Sequence, residues 1–228
     1  MASSEAALDG RLTSRPGTPE VSDLEPGVHQ LRLPGAREGL LVVPEAPSGP
    51  LPLLVFLHGA GGGATGSLPT IQGPAQARGC LVLLPTSAGS TWDLIQGSPG
   101  RDVAAIDSAL AAVFARRDVS RVALAGFSDG ASYALSLGLA NGDLADTLLA
   151  FSPGFAAPPS RHGRPRVWVS HGTDDRVLPV DACGRRVVRR LREAGYEVEY
   201  EEFDGPHVVP PDLVERALDH WLGAPVAP

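Results

Sequence analysis

One serine stands between two glycines in a pattern that is typical of an enzymatic nucleophile. Residues 126–130 read Gly-Phe-Ser-Asp-Gly, which fits the G-x-S-x-G motif of a serine held on a sharp turn between a strand and a helix. Such a turn leaves room only for glycine two residues before and after the serine. The apolar run before Gly126 and the Ala- and Leu-rich run after Gly130 predict that strand and that helix. We therefore predict that Ser128 is a nucleophile.

A serine hydroxyl is a weak nucleophile without a base that takes its proton and an acid that orients the base. Both residue types follow later in the chain, each on a loop after its own predicted strand. Asp174 and Asp175 follow the strand predicted at 166–170, and His207 follows the strand predicted at 197–203. The order Ser, Asp, His fits a known arrangement of this triad. We predict His207 as the base, and the residues alone leave either aspartate as the acid.

The remaining histidines are interpreted as structural or surface residues. His58 and His171 are predicted to hold loop backbone through hydrogen bonds. The others are predicted to lie on the surface or on a helix face: His29, His162 and His220.

A glycine-rich loop, His-Gly-Ala-Gly-Gly-Gly at 58–63, follows a continuous apolar run. Acyl transfer places negative charge on the former carbonyl oxygen, and each backbone N–H that meets this charge contributes about 10² to 10³ in rate. The expected donors of this oxyanion hole are the N–H groups of Ala60 and Asp129, with Gly61 as a third candidate. Glycine loops also cradle phosphates, but no Lys follows this loop as in a nucleotide-binding loop. The chain in fact contains no Lys.

These motifs together resemble the α/β-hydrolase superfamily, and more narrowly its small phospholipase and carboxylesterase group, which includes acyl-protein thioesterases and predicted bacterial esterases. The resemblance covers residues 51–222 and rests on the glycine loop, on GFSDG, on His-Gly-Thr-Asp-Asp-Arg-Val-Leu-Pro at 171–179 and on Phe-Asp-Gly-Pro-His at 203–207. It selects Asp175 as the acid. It departs from the group at Arg176, where Pro is usual, and at Asp129, where thioesterases often carry Gln.

Strands and helices are predicted to alternate along most of the chain, which implies a mostly parallel, twisted sheet with helices on both faces. We expect a single-domain α/β-hydrolase over residues 27–228, opened by an antiparallel hairpin with its turn at Pro34-Gly35. Residues 1–26 are polar and lack apolar periodicity, so we expect a flexible tail there. Only about fourteen residues separate Phe151 from Arg166, which is too few for a cap domain.

An uncapped cleft predicts modest substrate specificity. The aromatic residues expected to line the substrate pocket are Trp92, Phe127 and Phe155.

Charge and composition limit the classes of binding partner and cofactor that we expect. The net charge of −7 would repel nucleic acid and anionic membranes. Neither a cofactor nor a metal is expected, since the two cysteines and the scattered carboxylates do not form a ligand set. A cytoplasmic protein without an integral membrane segment is expected, and a homodimer is left open.

One set of arginines is predicted to form a solvated, salt-bridged helix face: Arg185, Arg186, Arg189, Arg190 and Arg192.

The sequence therefore predicts a serine carboxylesterase that hydrolyses short- to medium-chain carboxylic esters through an acyl-enzyme. A lysophospholipase, an acyl thioesterase or a polyester depolymerase would use the same triad. A protein of this fold that binds a ligand without catalysis is the remote alternative.

Overall fold

The computed structural model describes residues 2–20, 24–32, 38–45, 47, 49–97 and 100–223. Within them, one sheet of eight strands forms the centre of the fold. The strands are β1 Gly27–Leu31, β2 Gly39–Val43, β3 Leu51–Leu57, β4 Leu81–Leu84, β5 Val119–Phe127, β6 Ala145–Phe151, β7 Arg166–Gly172 and β8 Val198–Phe203. The helices are α1 Ala2–Leu8, α2 Ala64–Gln76, α3 Arg101–Phe114, α4 Asp129–Ala140, α5 Gly184–Glu193 and α6 Pro211–Leu222.

The strand order across the sheet is β1-β2-β4-β3-β5-β6-β7-β8. Strands β3 to β8 are mutually parallel, whereas β2 is antiparallel to both β1 and β4. Because the parallel strands share one direction, their carboxyl ends meet at one edge, which is where ligands bind in open α/β sheets. The predicted fold class, an α/β sheet with helices on both faces, is confirmed.

Helices cover both faces of the sheet, which explains the nearly continuous apolar sequence of its central strands. Helices α3, α4 and α5 pack on one face, and α2 and α6 pack on the other. In β3, six of the seven residues are buried. Each face of the sheet therefore packs against its own layer of the hydrophobic core.

The predicted hairpin is present as β1 and β2, with Val28 opposite Val42. Its turn at Pro34-Gly35 lies outside the described residues. The helix expected over residues 180–194 begins at Gly184, after a turn in which the N–H of Cys183 donates to the carbonyl of Pro179.

The N-terminal segment differs from the flexible tail expected over residues 1–26. Its described residues include α1, and Leu12 and Leu24 are buried in the core beside α3 and α4. The buried side chain of Asn141 accepts a hydrogen bond from the Leu12 N–H at 2.8 Å and donates one to the Gly10 carbonyl at 2.8 Å. These bonds satisfy polar groups that burial would otherwise leave unpaired, so the segment is held although its composition is polar.

The connection between β6 and β7, residues 152–165, contains neither a helix nor a strand. This agrees with the expectation that no cap domain is inserted there. Within the described ranges, no helix is both long enough and apolar enough to cross a membrane.

Candidate active site

A hydrogen-bonded chain of three side chains lies at the carboxyl edge of the sheet. The Ser128 hydroxyl lies 2.8 Å from Nε2 of His207, and Nδ1 of His207 lies 2.6 Å from Oδ2 of Asp175. These distances let Nδ1–H donate to the carboxylate while Nε2 accepts the serine proton. Asp175 is buried, whereas Asp174 is exposed and takes no part. The structure thus brings together the serine, the histidine and the aspartate that the sequence and the resemblance select.

Ser128 occupies a strained turn between β5 and α4. Its φ of 58° lies in the left-handed region, which a non-glycine residue adopts only where its surroundings enforce it. A Cβ on Gly126 would lie 2.4 Å from the backbone of Gly130, and one on Gly130 would lie 2.1 Å from the carbonyl oxygen of Leu57. Both glycines are therefore required by close backbone packing, as the motif predicts.

The loop after β7 holds Asp175 with several donors. Its Oδ1 accepts the N–H groups of Val177 at 2.9 Å and Leu178 at 2.8 Å. Burial raises the pKa of this carboxyl, but the hydrogen bonds from Leu178, His207 and Val177 outweigh it and lower the pKa below the ordinary value. Asp175 is therefore an anion at neutral pH, as an orienting group for a histidine must be.

His171 supports the same carboxylate from the other side. This fully buried ring places Nε2 2.7 Å from the carbonyl of Leu178 and 3.2 Å from Oδ2 of Asp175, so Nε2 carries the proton. Burial lowers the pKa of His171, which favours the neutral ring. Its Nδ1 faces the start of α5, where a Cβ on Gly184 would lie only 2.6 Å away. The sequence predicts a structural role for His171 but gives no sign of its contact with Asp175.

The glycine loop approaches the serine closely. A Cβ on Gly59 would lie 3.4 Å from the Cβ of Ser128. Among the described residues, neither the backbone N–H of Ala60 nor that of Asp129, the first residue of α4, has a hydrogen-bond acceptor. The N–H of Gly61 instead donates to the Ser90 carbonyl at 2.7 Å, which removes Gly61 from the candidate donors.

His58 holds the backbone at the start of this loop in place. Its Nδ1 lies 2.7 Å from the Gly59 carbonyl, and its Nε2 accepts the Ser87 N–H at 3.0 Å. A carbonyl only accepts and an N–H only donates, so the proton is on Nδ1. The prediction that His58 holds loop backbone agrees with these contacts.

Trp92 does not line an open pocket, contrary to expectation. Its ring is 1% exposed and stacks on Tyr133 with ring centroids 5.0 Å apart, while Nε1 donates to the His58 carbonyl at 2.8 Å. Trp92 therefore stabilises the backbone of the glycine loop through this hydrogen bond. The sequence did not distinguish these roles, because an isolated tryptophan in a loop of small residues suits either one.

Phe127 does line a cleft beside the candidate base, where its ring centroid is 4.7 Å from that of His207. The cleft has a volume of about 320 Å³, and its walls come from α2 and from the loop after β8. A second cavity of about 290 Å³ continues it along the seam between α2 and α6, and Thr70 and Val209 line both. The lining of the second cavity is mainly apolar: Pro69, Pro74, Val209, Pro211 and Val214.

Phe155 lies elsewhere, in a separate cavity against α5 that shares no lining residue with the cleft. It is therefore not a wall of the candidate active site. The loop that carries Phe155 turns away along α4, since the Ser136 hydroxyl accepts the N–H of Ala157.

Among the described residues, no group of three or more His, Cys, Asp or Glu side chains is placed to hold a metal ion. The two cysteines, Cys80 and Cys183, are buried and unpaired with each other. Burial raises the pKa of Cys80 to about 12, which leaves that thiol protonated and unreactive at neutral pH.

No protein-family model matches the chain, and no curated protein matches its sequence. Solved structures do match. Esterase PE8 is 22% identical with a TM-score of 0.63, and the match covers 79% of this chain and 97% of that protein. TT1662 from Thermus thermophilus is 24% identical, with a TM-score of 0.60 and coverage of 89% and 100%.

The S-formylglutathione hydrolase FrmB from Staphylococcus aureus is 14% identical with a TM-score of 0.67, and the match covers 85% of this chain and 95% of that protein. At such identities the likeness concerns the fold. Together with the strand order and the turn at Ser128, it shows that this chain has the α/β-hydrolase fold.

Proposed function

We propose that this protein is a serine carboxylesterase that hydrolyses short- to medium-chain carboxylic esters through an acyl-enzyme. The observation that carries the proposal is the hydrogen-bonded chain from Ser128 through His207 to Asp175. Esterases and a thioester hydrolase among the structures of the same fold also support it.

In the proposed mechanism, Ser128 Oγ attacks the ester carbonyl carbon while Nε2 of His207 takes the hydroxyl proton. Asp175 holds the ring in place and stabilises its positive charge. The N–H groups of Ala60 and Asp129 donate to the oxyanion of the tetrahedral intermediate. The C–O bond to the alcohol then breaks, and His207 returns the proton to the departing alkoxide. Water, activated by the same histidine, releases the acid and restores Ser128.

The test is hydrolysis of p-nitrophenyl esters from acetate to palmitate by wild type, Ser128→Ala and His207→Ala, with circular dichroism to verify folding. We expect each variant to lose at least about 10³-fold in kcat. Wild-type turnover that survives Ser128→Ala would contradict the proposal. A folded wild type without turnover would favour the ligand-binding alternative.

A second candidate, hydrolysis of long-chain thioesters or lysophospholipids, is favoured by the apolar cavity along the seam between α2 and α6. Thr70→Trp would fill the point where this cavity meets the cleft. If long chains occupy the seam, this change lowers kcat/KM for palmitate far more than for acetate, which serves as the internal control. An optimum at acetate or butyrate that Thr70→Trp leaves unchanged would favour the carboxylesterase.

A further inference from the structure

Three arginines surround a cavity on the opposite face of the sheet from α2 and α6. The cavity has a volume of about 160 Å³ and lies between α5 and the loop after β6. Arg161, Arg186 and Arg190 contribute its charged part. Its apolar part consists of Phe155, Ala156, Val187 and Leu191.

Some arginines on α5 have carboxylate partners among the described residues and others do not. Arg185 is paired with Glu202 and with Asp181, as expected for a solvated helix face. Within the described part of the chain, neither Arg186 nor Arg190 has a carboxylate partner. The sequence-based expectation of a salt-bridged face therefore holds for Arg185 and fails for the two arginines that line the cavity.

Arg161 also lacks a carboxylate partner among the described residues, and it lies over an aromatic ring. Its guanidinium carbon is 5.6 Å from the ring centroid of Tyr196, a contact that attracts a cation to the face of the ring. Tyr196 is buried in the core beside α5. This contact favours a position of Arg161 at the cavity and leaves its charge in place.

Three positive charges without a carboxylate partner among the described residues, in a chain of net charge −7, make this cavity a local exception to the overall field. Guanidinium groups match the planar geometry of carboxylate and the oxygens of phosphate. An apolar floor with a few convergent polar groups is typical of a small-molecule site. We propose that this cavity binds an organic anion whose carboxylate or phosphate contacts the arginines and whose apolar part lies against Phe155 and Leu191.

The test is isothermal titration calorimetry of the full chain with benzoate and with benzyl alcohol, a neutral probe of similar size. Phenyl phosphate distinguishes a phosphate from a carboxylate preference. We expect saturable binding of at least one anion, with binding of the alcohol weaker by about tenfold or more. Equal binding of benzyl alcohol, or no saturable binding of either anion, would overturn the proposal.

Matched variants locate the site. Arg186→Gln and Arg190→Gln are each expected to weaken anion binding about tenfold, while Arg189→Gln, on the same helix but outside the cavity lining, leaves it unchanged. A carboxylate product would also fit the candidate active site, so His207→Ala is included and is expected to leave binding unchanged. Binding that is lost in His207→Ala but retained in Arg186→Gln would overturn the proposal without affecting the proposed esterase activity.

Discussion

At the scale of single residues, the aspartate of the candidate triad is supported by more than its histidine. Asp175 accepts two backbone N–H groups on Oδ1, and its Oδ2 accepts from His207. The Nε2–H of His171 donates to the Leu178 carbonyl in the same loop and lies 3.2 Å from Oδ2 of Asp175. His171 is therefore expected to act as a positioning residue that fixes the loop holding Asp175.

His171→Leu removes the bond to the Leu178 carbonyl and is expected to lower kcat about tenfold with little change in KM, because the loop that holds Asp175 loses a support. Hydrolysis of p-nitrophenyl acetate over a range of concentrations separates kcat from KM.

His171→Gln is the conservative control, because its amide nitrogen can donate near the former position of Nε2. It should retain a higher kcat than His171→Leu. A wild-type kcat in His171→Leu, or equal losses in both variants, would contradict the positioning role.

At the scale of elements, close contact between backbones sets the turn from β5 to α4. Gly130 lies so near the end of β3 that no side chain fits. The strained φ of Ser128 is maintained by this packing and by the Ser128 N–H bond to the Phe151 carbonyl at 2.9 Å. Both the strand ends and the helix start therefore determine where the hydroxyl points.

Gly130→Ala should consequently destabilise the protein by about 3 kcal/mol or more, since a methyl group would overlap the Leu57 carbonyl. Gly66→Ala is the matched control on α2, where a Cβ meets nothing within 4 Å. It should leave stability unchanged or raise it by up to about 1 kcal/mol, because alanine is the better helix former. Urea unfolding measures both changes. A Gly130→Ala variant as stable as wild type would contradict the packing argument.

At the scale of the whole molecule, the N-terminal segment extends the core. It bridges α3 and the loop after α4, because the Ser14 N–H donates to Asp107 and the guanidinium of Arg11 pairs with Asp143. The hydrogen bond from Arg11 outweighs the effect of burial and holds the pKa of Asp143 below its usual range. The segment should thus contribute to global stability.

Leu12→Ala tests this contribution and should cost about 2–5 kcal/mol, as expected for a leucine in a well-packed core. Leu12 is 1% exposed, whereas Leu8 is 61% exposed, so Leu8→Ala should change stability by less than about 0.5 kcal/mol. Thermal unfolding of the two variants provides the comparison. Equal melting temperatures would indicate that the segment does not stabilise the fold in solution.

The sequence predicted the alternating elements, Ser128 and His207 because those signals are local, whereas the choice of Asp175 over Asp174 came from the family resemblance. Apolar runs mark the buried strands, and the glycines around Ser128 mark the turn. The docking of Leu12 was not predictable, because its partner Asn141 lies far away in the chain and nothing in the local pattern connects them. The burial of Trp92, and the lack of a carboxylate partner for Arg186 and Arg190 in the part of the chain that the structure describes, likewise depend on tertiary contacts that composition does not reveal.

The proposed mechanism requires Ser128 to be a nucleophile activated by His207. Reaction with a fluorophosphonate probe followed by peptide mass spectrometry identifies the modified residue without knowledge of the natural ester. We expect a single adduct on Ser128, no adduct in Ser128→Ala and much slower labelling in His207→Ala. A folded protein that remains unlabelled, or an adduct on another residue that persists in Ser128→Ala, would contradict the proposed mechanism.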